Sequence, residues 1–281
     1  MRSSPNGSRS SSSAASRSCG SSSPTTGTSA SGARGLAFFR SRFREQADPK
    51  RATFEKAYLK SELRFHGVTQ PQLRRTAAEL VRASPDLTRA RLRALVDALY
   101  ATGYHDLHSA GIAVLELRAD LLRPRDVPWL IGLVRASPGW AHVDWLATSV
   151  IASALGDGPD LRRRVRAWAR DRDVWVRRTA LLVQHDALRR GEGDFALFAE
   201  IAAPMLGERE FWIRKAIGWV LREVSKKRPA LVRDFLREHR ERVSGLTLSE
   251  GAKYLPAAMR RELGLAAVPA WRRREEARAG G

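Results

Sequence analysis

Trp140 and Asp144 stand four residues apart, so on a helix they share one face. Farther along, Trp175 and Arg178 are spaced i, i+3, and Lys215 and Trp219 are again spaced i, i+4. From Asp144 to Arg178 is 34 residues and from Arg178 to Trp219 is 41, each about one structural repeat. Stacked repeats would bring Trp140, Asp144, Arg178 and Trp219 onto one concave wall. An ionised carboxylate there can stabilise developing positive charge. Flat tryptophan faces favour a cation by roughly 0.5–2 kcal/mol each. Other catalytic patterns are missing: there is no Gly-rich phosphate loop, no GxSxG and no His-Glu-x-x-His. His105 and His108, with Asp106 between them, are read as exposed polar residues of a helix rather than as metal ligands.

The elements that must hold this wall are repeats. Residues Asp171 to Ala180 and Glu208 to Ile217 agree class for class over ten positions at an offset of 37 residues. The shared order is acid, Arg, acid, apolar, Trp, β-branched, Arg, base, then two small or apolar residues. A looser copy centres on Trp140 to Trp145. A period of this length indicates a HEAT-like helical solenoid, whose units bury their apolar faces against one another. Within such a repeat, Arg177 and Arg214 are expected to join a charge ladder with Asp173 and Glu210. Trp175 and Trp212 fill the equivalent apolar slot and are assigned to the core. The ladder needs neither Asp144 nor the second bases nor the two tryptophans flanked by small residues, Trp140 and Trp219.

Composition narrows the partners. The chain of 281 residues has a net charge of +20, and residues 1–50, with eight bases and two acids, hold only +6 of it. The remaining +14 points to a polyanion, nucleic acid ahead of a membrane surface. The single cysteine, Cys19, excludes an intrachain disulfide and a thiolate zinc site. No apolar run reaches the ~18 residues that a bilayer span requires.

Residues 1–35, rich in Ser, Gly and Arg, are expected to be a disordered tail, with organelle targeting left open. A helical repeat domain is expected over 36–271 and a frayed end over 272–281. Helix patterns fall near 36–44, 54–65, 104–121, 126–136, 140–155, 159–170, 174–189, 194–205, 209–225, 229–238 and 248–263. Thr69 and Thr88 open two further helices, with Pro71 tolerated in a first turn. Breakers at Pro124, Pro138, Gly156, Gly191, Gly207 and Pro229 separate the segments. The fold class is all-α, a helical repeat superhelix without strands.

The stretches Trp175 to Leu182 and Phe211 to Glu223 resemble the DNA alkylation repair family of HEAT-like glycosylases, of the AlkD type. The tryptophan at Trp140 with Asp144 after it, the segment Lys56 to Pro71, and Leu248 to Lys253 carry the same likeness, which spans roughly 51–265. It implies that Trp140 and Trp219 line a lesion site, that Asp144 is the catalytic carboxylate, and that Arg178 holds the DNA backbone near it. Arg222 would meet phosphate, and Lys215 and Lys226 join the DNA-binding set. The segment Tyr104 to His108 departs from the family, which often has a tryptophan with acids there. The implied activity is removal of cationic N3- or N7-alkylpurines from duplex DNA by a monomer without metal or nucleotide cofactor, the lesion staying stacked. A nucleoid-associated, cytoplasmic location goes with it. A non-catalytic HEAT-repeat scaffold binding nucleic acid or an acidic protein is the alternative.

Overall fold

The computed structural model describes residues 25–156 and 158–266. They form a helical repeat solenoid, and among the described residues there is no strand, only an isolated bridge between Arg64 and Tyr104. The helices are α1 (Thr25–Glu45), α2 (Pro49–Leu59), α3 (Gln70–Arg82), α4 (Arg89–Tyr100), α5 (His105–Leu117) and α6 (Val127–Ala136). They continue as α7 (Trp140–Trp145), α8 (Ala152–Leu155), α9 (Pro159–Trp168), α10 (Val174–Leu182), α11 (His185–Arg190) and α12 (Phe195–Met205). The last four are α13 (Phe211–Ser225), α14 (Pro229–Glu238), α15 (Gly245–Gly251) and α16 (Ala257–Glu262). Polar caps set several starts. Thr69 makes a reciprocal capping box with Gln72, Thr88 accepts from the Arg91 amide, and Asp173 accepts from the Trp175 amide.

One row of helices, α3, α5, α7, α10, α13 and α15, packs successively neighbour on neighbour. A second set, including α4, α6, α9, α12 and α14, covers its back. α5 is buried along its whole length from Asp106 to Leu115, as expected of a helix with neighbours on all sides. Its fully buried Leu107, Ile112 and Leu115 each contribute about 1.5–3 kcal/mol by leaving water.

Ladder pairs link Arg135 to Asp171 and Arg177 to Glu208, each acid two residues earlier than the sequence pattern suggests, whereas Arg214 turns to a backbone carbonyl instead of an acid. Arg135 pairs with Asp171 at 2.6 Å, Arg177 with Glu208 at 3.0 Å, and Arg214 donates to the Glu208 carbonyl at 2.7 Å. Arg177 and Arg214 are therefore structural. Asp173 caps α10 with one oxygen and reaches Arg135 at 3.5 Å with the other, beside Asp171.

Several segment boundaries differ from the sequence reading. The helix expected over 54–65 is α2, which starts at Pro49 and ends at Leu59, where Lys60 takes the left-handed conformation. α1 begins at Thr25, inside the stretch read as a disordered tail, because Gly32 and Gly35 pack closely on Ala94 and Leu95 of α4. Residues 1–24 and the end from 267 onward lie outside the described residues. The expected helix over 174–189 breaks after Leu182, and the one over 248–263 divides, with α15 ending at Gly251 and Pro256 standing at the N-cap of α16. Between α7 and α8 the helix runs continuously but takes π-helical geometry over Leu146–Ile151. Such segments are rare and are enriched at functional sites.

Candidate active site

Asp144 and Arg178 meet. The Arg178 guanidinium donates Nε–H to Asp144 Oδ1 at 2.7 Å and Nη2–H to Oδ2 at 2.8 Å, a bidentate pair across α7 and α10. Its Nη1 donates to the Trp212 carbonyl at the start of α13, and its plane lies 5.7 Å from the Trp212 ring centroid. Arg178 is only 2% exposed, whereas the Asp144 side chain keeps 14% of its surface open. The arginine thus lies beneath the wall and the carboxylate at its surface. A guanidinium so placed offers no open face to a phosphate, so the direct backbone contact implied for Arg178 finds no geometric basis.

Aromatic rings surround this pair. Trp140 stacks on Trp212 at 6.2 Å between centroids, and Trp212 meets Trp175 at 5.7 Å and Phe211 at 5.0 Å. On the other side the edge-on ring of Tyr58 reaches Trp140 at 6.3 Å, and Phe54 lies parallel to Tyr58. Trp175 is half-buried and packs against the core as read, whereas Trp212, also read as core, is half-buried and belongs to the aromatic run beside Arg178. Phe54 and Tyr58, apolar positions at helical spacing in the sequence, do not face the core: they are 68% and 65% exposed on α2, a helix with no buried residue. Two aromatics at i, i+4 on a helix lacking any other apolar face were the available signal.

Trp219 is not part of this aromatic run. It lies two turns beyond Trp212 on α13 and packs against His185 at 4.3 Å, and among the described residues no ring contact joins it to Trp140. Trp140, Asp144 and Arg178 thus come together across α7 and α10, and Trp219 stands on the next helix of the row, α13.

The three remaining basic residues are gathered by two acids. Glu250 on α15 accepts from Lys215 at 2.5 Å and from Arg222 at 2.6 Å. Glu223 accepts from Lys226 at 2.7 Å and from Arg222 Nε at 3.3 Å. Lys226 also lies 4.9 Å above Tyr254. Three cations against two carboxylates leave a surplus of one positive charge, on side chains that stay partly exposed. Gly218 makes the arrangement possible: a Cβ there would lie 2.7 Å from Glu250 Cβ, so α15 could not approach α13 so closely.

A sequence model of the family described as DNA alkylation repair enzyme matches residues 39–255, which include every residue of this site. The chain belongs to that family. A solved structure described as a predicted DNA alkylation repair enzyme from Enterococcus faecalis aligns with a TM-score of 0.66 at 24% identity. That alignment covers 75% of this chain and 97% of the other. At that identity the likeness concerns the fold. No curated protein matches the chain.

This family member also carries a histidine cluster directly behind Trp140 and Asp144. His105 stacks on Phe65 and lies 4.2 Å from His142, with His108 5.5 Å from His142. His142 Nε2 lies 3.0 Å from Ser109 Oγ and 3.2 Å from the His105 carbonyl, so it carries the proton and donates. His108 is 3% exposed and His105 mostly covered, against the expectation that both are exposed. The reason is tertiary: α5 is enclosed by α3, α4 and α7, so even its polar residues are covered. Among the described residues no group of His, Cys, Asp and Glu could hold a metal ion.

Asp106 accepts from the His66 and Val68 amides at 2.7 and 3.1 Å. Burial pushes its carboxyl up, but these bonds and His66 outweigh it and hold the group below the usual carboxylate range. Burial lowers His105 to about 4, pulls His142 well below its ordinary value, and lowers His108. Folded histidines that resist protonation stabilise the protein above the unfolded value of about 6.5. As pH falls from there toward about 4, the unfolded chain takes up protons that the folded chain refuses. The melting temperature is expected to drop through that window, and to drop less in a His142→Phe variant, as scanning calorimetry at a series of pH values would show.

Proposed function

We propose that the protein is a DNA glycosylase that excises cationic N3- or N7-alkylated purines from duplex DNA. One observation carries the reading: a partly exposed carboxylate held by a buried arginine, one helical turn from Trp140 and with Trp212 over its arginine partner. Alkylation at N3 or N7 puts positive charge on the base and makes it a good leaving group, so modest assistance suffices. As the bond between C1′ and the base nitrogen lengthens, its electron pair leaves with the base and the sugar becomes oxocarbenium-like. The Asp144 carboxylate stabilises that charge and orients the water that adds to C1′. Arg178 acts through Asp144. By binding both oxygens it holds the carboxylate in one orientation, so little reorganisation is needed as charge develops. Trp140 and Trp219 favour the cationic nucleotide by their π faces. Trp212 supports Trp140 from behind.

Lys215, Arg222 and Lys226 are assigned to phosphates. Glu250 and Glu223 hold these long side chains extended before DNA arrives, which reduces the entropy lost on binding. Among the described residues no helix is long and apolar enough to cross a membrane.

A second reading has an observation in its favour. Asp144 pairs with an arginine one repeat away, as ladder carboxylates do, and the cations on α13 already have acid partners. A non-catalytic scaffold for nucleic acid or an acidic protein has those features. The deciding experiment is incubation of the protein with duplex DNA carrying 7-methylguanine, followed by chromatography for the free base. Release well above the spontaneous rate is expected. Tight binding without release would favour the scaffold.

A further inference from the structure

His185 opens α11 and is 5% exposed, with its ring 4.3 Å from that of Trp219. Its Nδ1 lies 3.3 Å from Asp186 Oδ1, a contact that only an Nδ1–H can make to a carboxylate. The second nitrogen, Nε2, is buried and has no partner. The ring is therefore a neutral imidazole in the Nδ1–H form. A second proton would place an N–H where nothing accepts it. No other part of the site uses this residue.

We propose that His185, acting through Trp219, sets the preference of that indole face for a cationic base. The inference rests on the glycosylase reading and adds a specificity-determining residue to it. A neutral imidazole leaves the π density of Trp219 intact. An imidazolium in the same place would compete for it and stand about 8 Å from a base stacked on the far side of the indole. At that range, in a partly buried setting, like charges change affinity on the order of tenfold. The charged groups facing His185 are Asp186 and Arg189 from α11 and Glu223 from α13, the last already engaged by Lys226 and Arg222. Burial lowers the His185 pKa, with Asp186 opposing, so the neutral ring is the form present at neutral pH.

The test measures affinity for two duplexes, one with guanine and one with a non-hydrolysable 2′-fluorinated 7-methylguanine nucleotide, between about pH 4 and 8. The wild-type protein is expected to favour the methylated duplex at pH 8 and to lose about tenfold of that preference below the ordinary histidine range, where the ring takes up a second proton. His185→Phe should keep the preference at every pH, and His185→Gln, which carries no titratable group, serves if the larger ring disturbs packing. Melting curves of each variant show that the protein is folded at the pH used. A wild-type preference that does not change with pH, or variants that lose it as the wild type does, would overturn the role of His185 and leave the glycosylase reading standing. Equal affinity for both duplexes at every pH, together with no release of free base from an ordinary 7-methylguanine duplex, would overturn both.

Discussion

Replacing Asp144 by asparagine is expected to slow release of 7-methylguanine by about 10²–10³-fold, the usual effect of removing one preorganised electrostatic group. Asparagine keeps the shape of the side chain and one acceptor for Arg178, but not the charge. Binding to lesion-containing duplex should stay nearly unchanged, because the carboxylate contributes most after charge has developed on the sugar. A slight tightening fits the same role, since a carboxylate beside a polyanion is unfavourable in the ground state. Since Asp144 is paired with a buried arginine, the variant will also melt at a lower temperature. Rates must therefore be taken well below the melting transition, where the folded fraction stays near one. Under those conditions a single-turnover rate equal to that of the parent would remove Asp144 from the mechanism.

The second large effect concerns Arg178. Its replacement by methionine keeps much of the volume and leaves Asp144 without its partner. Breaking a buried pair in this way costs about 3–5 kcal/mol, and the partial exposure of Asp144 places the expected value at the lower end. For a domain of this size that is a fall in melting temperature of about 5–10 °C. The double variant Asp144→Asn with Arg178→Met should recover part of the loss, since no charge is then left unpaired. Base release should fall with the single variant, because the carboxylate loses its fixed orientation. The salt dependence of DNA binding distinguishes the two roles of the arginine. A residue touching phosphate changes the slope of log K against log salt by about one unit when removed. For Arg178 no change is expected, whereas Arg222→Ala should flatten the slope. A flattened slope in the Arg178 variant would return it to the DNA-contacting set.

Much of this protein was legible in the residues alone. The 37-residue offset between the two closest copies announced the solenoid, because buried faces of stacked repeats must recur with the period of the repeat. The i, i+4 spacing put Trp140 and Asp144 on one face, and the one-repeat gap to Arg178 put that residue opposite them. Arg177 and Arg214 were recognisable as structural residues. Spacing does not say which side of a residue ends up covered, however. Arg178 and the neighbouring Arg177 look alike in sequence, yet one lies under Asp144 and the other joins the ladder with Glu208.

What only the tertiary structure decided follows from how closely helices approach one another. Trp212 joined the wall rather than the core because the start of α13 lies over Arg178, where its carbonyl and ring both meet the guanidinium. Glu250 came to neutralise Lys215 and Arg222 because Gly218 lets α15 pack against α13, a contact between residues about thirty positions apart in the chain. His105 and His108 turned inward because α5 is covered by three neighbouring helices. Local sequence sets the period of a helix and where it starts and stops. Which charges lose water, and which find partners, depends on distances between helices that no single stretch of sequence contains.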